Sequence, residues 1–142
     1  MYNVMIFLHV VSALLLGAYV VFPFLVGRAA SLSGAAQESF VGLLRSFNRV
    51  GQFALIVAFI TGGALISNVK PSVAWMITAV VLLLIVGALS GMIGARTKKL
   101  IASAKAGANT AADVGKIQAF SWIAAIVVVV AVLIMTNPQI LG

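Results

Sequence analysis

Val73–Ile93 reads VAWMITAVVLLLIVGALSGMI, and no side chain within it carries a charge. A helix crossing the hydrocarbon core of a bilayer needs about 20 predominantly apolar residues, and this stretch meets that requirement. Working outward, Val4–Val26, Val50–Ile66 and Ile117–Met135 are further apolar tracts. The second is short for a crossing, so its helix is expected to continue into the segment before it. The chain is therefore expected to be all-α, a polytopic membrane protein with four crossings. Composition agrees: 63% of the 142 residues are hydrophobic and 8% charged, with a mean hydropathy of +1.23. A soluble domain carries about a quarter charged residues, and none of these tracts has the charged face that a water-facing helix requires.

Nine lysines and arginines against two acids give a formal charge of +7. They are not interleaved with aromatics over a soluble surface, which argues against a nucleic acid partner. Their positions report topology instead. Arg28, Arg45 and Arg49 lie between tracts one and two; Arg96, Lys98, Lys99, Lys105 and Lys116 lie between tracts three and four; Lys70 alone lies between two and three. Placing the basic excess in the cytoplasm puts both termini outside and makes the four-helix transmembrane bundle antiparallel. Arg45, Arg49, Arg96, Lys98 and Lys99 then stand where anionic phospholipid headgroups lie, each near-surface charge contributing about 1 kcal/mol.

The first tract has no basic residue before it and exceeds the usual length of a secretory apolar region, so it reads as a retained helix. Pro23 is expected to kink its last turns. Ser33 is placed as a cap, and Phe40, Leu43, Leu44 and Phe47 recur at helical spacing, which predicts one continuous helix from about Gly34 to about Ile66. Pro71 suits the first turn of the third helix. That helix continues through ARTKKLIASAKA as far as Gly107, and Thr110 with Asp113 resembles a capping box for the fourth. Asn137 and Pro138 stop it. Residues 1–142 thus form a single transmembrane domain with cytoplasmic helical extensions around 33–49 and 95–116.

Between membrane helices, small side chains permit close approach. Gly87, Gly91 and Ala95 recur at four-residue spacing on the third helix, and Ala54, Ala58 and Gly62 on the second; both sets are candidate packing strips. His9 is the only histidine and the only strongly ionisable side chain inside the four tracts. A lone imidazole in hydrocarbon is costly without a partner. Ser12, Tyr19 or another helix would supply a structural hydrogen bond, whereas haem, quinone or copper would make His9 a cofactor-binding residue. Met5 lies one turn earlier on the same face, and thioether with imidazole suits monovalent copper, so His9 and Met5 are the candidate metal ligands. Met is equally ordinary packing material.

With no cysteine in the chain, thiolate metal sites and thiol chemistry are excluded. No acid stands inside a tract to drive ion-coupled transport. No nucleotide loop, zinc-protease motif or hydrolytic triad is present, so the chain is expected not to be an enzyme.

The segment FLHVVSALLLG, with His9 early and Gly17 closing it, resembles small bacterial integral membrane proteins that share a first-helix histidine with copper resistance D proteins and membrane protoporphyrinogen oxidase. That resemblance implies a multi-pass protein of the bacterial plasma membrane, with His9 in the position of a haem axial ligand. The other histidines of such proteins have no counterpart here. The reading favoured by sequence alone is a non-catalytic small membrane subunit or scaffold, acting as a homo-oligomer or within a larger membrane complex among membrane lipids. The alternatives are haem, quinone or copper handling at His9, and an oligomeric channel or exporter.

Overall fold

A computed structural model of the chain describes residues 2–137, less the side chains of residues 67–69. Met1, Pro138, expected from the sequence to stop the last helix, and Gly142 lie outside the described residues. All regular elements among those described are helices: α1 (Tyr2–Leu16), α2 (Ala18–Ala30), α3 (Gly34–Val69), α4 (Val73–Lys105) and α5 (Ala111–Thr136). They supply four spans long and apolar enough to cross a membrane, α1 and α2 together making the first.

The first span breaks earlier than Pro23. Pro23 sits buried within α2, and the interruption falls at Gly17, where the Val20 N–H reaches back only to the Gly17 carbonyl, at 3.0 Å. A Cβ at Gly17 would lie 3.0 Å from the Leu14 carbonyl, so the tightened turn falls where no side chain obstructs it. This divides the span into two pieces with different neighbours. α1 packs against α3, while α2 packs mainly against α5; α3 and α5 both flank α4.

The helix starts also differ from expectation. Ser33 and Thr110 hold the N-cap positions, but neither side chain makes a capping bond. The Thr110 hydroxyl instead donates to Gln37 Oε1 at 3.0 Å, so the Thr110–Asp113 box does not form. Pro71 precedes α4 rather than opening it, and Ser72 caps that helix by accepting from the Trp75 N–H at 3.1 Å.

Leu16, Phe22, Val26, Val41, Leu44, Ile93, Leu100 and Ile117 belong to one buried cluster. Large apolar side chains also cover the outside: Leu14 is 72% exposed and Phe53 71%. In water such a surface drives association; in a bilayer it faces its own solvent.

Polar side chains stitch the helices at chosen levels. Tyr19 donates to Asn48 Oδ1 at 2.7 Å, and Asn48 Nδ2 donates to the Ser90 carbonyl at 2.9 Å, joining α2, α3 and α4. Gln37 Nε2 donates to the Ala29 carbonyl at 3.1 Å, and Gln118 Nε2 to the Pro23 carbonyl at 2.9 Å. Buried between helices these groups have no water to turn to, so each bond satisfies a polar atom that is otherwise costly to bury.

Candidate functional site: a crevice at His9

The change of neighbours at Gly17 opens the bundle at one end. Where α1 leans on α3, a crevice of about 510 Å³ remains, walled by His9, Ala13 and Leu14 of α1, by Gly62 and Ile66 of α3, by Trp75 of α4, and by Val132 and Met135 of α5. Leu14, Val10 and Val132 sit on its rim and are 72%, 50% and 46% exposed. Leu14 and Val10 lie on the flank of α1, so the crevice opens sideways there, while Val132, about one turn from the end of α5, and Pro71 of the α3–α4 connection carry it to the end of the bundle.

His9 borders this crevice and two smaller cavities beside it, of about 80 and 30 Å³. Its Nδ1 stands 2.9 Å from Thr61 Oγ1. The Thr61 hydroxyl has one proton, and the Val57 carbonyl at 2.7 Å accepts it. With that proton spent, the neutral tautomer that fits this bond carries its hydrogen on Nδ1, donating to Thr61, and its lone pair on Nε2. Gly62 lets the imidazole come this close, since a Cβ there would lie 3.2 Å from His9 Cε1.

Of the structural partners anticipated for His9, the one found is on another helix. Ser12 donates to the His9 backbone carbonyl at 2.8 Å, and Tyr19 is engaged with Asn48. Met5 is half-buried one turn from His9 but is not among the side chains walling the crevice; Met135 is. Trp75 donates its indole N–H to the Ile134 carbonyl at 2.9 Å, and Thr136 donates to the Val132 carbonyl at 2.8 Å. The wall is otherwise apolar.

The remaining expected site residues fall in different places. Ala54 and Ala58 are buried in the bundle, and a Cβ on Gly87 would lie 3.2 Å from Leu55 Cδ2, so Gly87 serves the α3–α4 approach. Gly91 and Ala95 face outward, and a Cβ on Gly91 would meet nothing within 4 Å. On α4 it is Ser90 and Gly94 that turn inward; a Cβ on Gly94 would lie 3.4 Å from Asn48 Nδ2. Arg45 and Arg96 are half-buried, whereas Arg49, Lys98 and Lys99 are exposed. Glu38 and Lys105 pair at 3.6 Å between α3 and α4, an exposed contact of small energetic weight.

Sequence reasoning passes over Thr61, Asn48 and Gln118. A hydroxyl between Ile60 and Gly62 in an apolar tract is itself a signal, because a polar side chain at that depth needs a reason. No group of three or more His, Cys, Asp or Glu residues capable of holding a metal occurs among the described residues.

Fold and site together define a small, all-helical, four-span membrane protein with a sideways-opening apolar crevice at a fixed imidazole. No protein-family model, curated protein or solved structure matches the chain.

Proposed function

We propose that this chain is a non-catalytic membrane protein that binds a membrane-soluble organic ligand in the crevice at His9. The observation that carries the reading is the imidazole held by Thr61 through Nδ1, beside about 510 Å³ of apolar space. Volumes of about 300–1,000 Å³ with few, fixed polar groups are those of small-molecule sites. An imidazole oriented through one nitrogen presents the other to a ligand. A ring-bearing ligand such as a quinone or haem uses that space; a copper ion does not need it, and Met5 stands apart from it. The expected resemblance of the first helix to copper resistance D and protoporphyrinogen oxidase proteins is itself part of this proposal.

The orientation that goes with it is an antiparallel bundle with both termini outside, in a bacterial plasma membrane. The crevice then opens in the outer leaflet and Arg45, Arg49, Arg96, Lys98 and Lys99 meet anionic lipid on the cytoplasmic side. A second reading, a subunit of a homo-oligomer or larger membrane complex, is favoured by the outward-facing Gly91 and Ala95, where a partner helix finds no side chain in its way.

The test compares wild type with His9→Phe, both purified in mild detergent and checked by size exclusion. Optical spectra, metal analysis and mass spectrometry of an organic extract report the contents. Ligand binding at His9 predicts a near-stoichiometric small molecule in wild type and its loss from a normally assembled variant. Empty wild type, or equal contents in both, supports the subunit reading instead.

A further inference from the structure

Resting on the crevice reading, the hydrogen-bond chemistry of the wall says more about the ligand than its volume does. Three side chains that line the crevice carry hydrogen-bond donors, and each donor is already engaged. The Trp75 indole N–H goes to the Ile134 carbonyl at 2.9 Å, the Thr136 hydroxyl to the Val132 carbonyl at 2.8 Å, and the His9 Nδ1–H to Thr61 at 2.9 Å. Behind His9, the Thr61 hydroxyl is spent on the Val57 carbonyl at 2.7 Å. What the wall keeps to offer is an acceptor, the Nε2 lone pair of a neutral imidazole.

A carbonyl-bearing ligand entering this space loses its own solvation and finds no free side-chain donor, whereas a hydroxyl finds a nitrogen to donate to. An unmet polar atom in an apolar site is disfavoured more strongly than a satisfied one is favoured. From this donor–acceptor complementarity we propose that the crevice selects a membrane-soluble ring compound carrying a hydroxyl, of the hydroquinone or phenol class, over its carbonyl or ether counterpart, with the hydroxyl donating to His9 Nε2. The sideways opening at Leu14 and Val10 suits delivery of such a compound from the bilayer.

His9 is the only histidine, so a sample labelled with ¹⁵N at histidine reports one imidazole. The expected spectrum in detergent has a protonated Nδ1 and an unprotonated Nε2. The same sample is titrated with a decyl-substituted hydroquinone under reducing conditions, its dimethyl ether, and the corresponding benzoquinone. The hydroquinone should bind about five- to tenfold more tightly than the other two, as one added hydrogen bond implies, and should alone shift Nε2. In His9→Phe the three affinities should converge on that of the ether for wild type. Equal or tighter binding of the benzoquinone, or a spectrum with the proton on Nε2, overturns the hydroxyl preference while leaving the crevice as a binding site. Failure of all three probes to bind wild type removes the crevice reading and this proposal with it.

Discussion

At Gly51 the Tyr19 ring lies where a side chain would begin: a Cβ there would be 2.6 Å from the ring. The ring is held there by its hydroxyl bond to Asn48, about one turn before Gly51 on the same helix, so it cannot swing aside without breaking that bond. Gly51→Ala is therefore expected to destabilise the fold by about 1–3 kcal/mol, as overpacking does, measured as a fall in thermal midpoint in detergent. An unchanged midpoint contradicts the close approach. Asn48→Leu removes both the acceptor for Tyr19 and the donor to Ser90 at nearly constant volume. The expected loss is about 1–2 kcal/mol, given the modest worth of hydrogen bonds between membrane helices; if Asn48→Leu is as stable as wild type, the bonds contribute nothing to stability. Neither position stands out in the sequence, because its importance lies in a neighbour brought from another helix. The same holds for Thr61, separated from His9 by 52 positions. The sequence marks His9 as needing a partner, but only the rotation of α3 decides which residue meets it.

α4 shows how an element divides a motif that looks uniform in sequence. Gly87, Gly91 and Ala95 share a spacing of four, which drifts around a helix of 3.6 residues per turn. Gly87 consequently touches Leu55, and Gly91 and Ala95 turn outward. Gly87→Leu is expected to lower thermal stability by about 1–3 kcal/mol through overpacking, and Gly91→Leu to leave the stability of the monomer unchanged. A matching fall for both variants in a monomeric sample contradicts the outward assignment; a change of assembly size with Gly91→Leu identifies a partner helix. The four spans themselves are legible from hydropathy, because apolar length alone decides whether a helix crosses. The break at Gly17 is not. It depends on the meeting of a proline-bearing half-span with α5 and of the other half with α3, and hydropathy is blind to both.

For the whole molecule, orientation rests on charge and function on the crevice. The absence of cysteine makes single-cysteine labelling clean. With both termini outside, Lys70→Cys should react with a membrane-impermeant maleimide in intact cells and Lys98→Cys only after permeabilisation; the reverse pattern inverts the bundle. The crevice itself was out of reach of sequence reading, being a space left between α1 and α5 rather than a property of any residue. Its occupancy can be tested without touching His9, by filling it from Ala13, which lines the wall one turn away. Native mass spectrometry of wild type and Ala13→Phe in mild detergent measures this most directly, with the single-histidine ¹⁵N signal confirming that the Thr61-bound ring is undisturbed. The account predicts a small organic molecule bound near one per chain in wild type and absent from Ala13→Phe; an empty wild type, or a ligand retained at the same ratio in the filled variant, contradicts it.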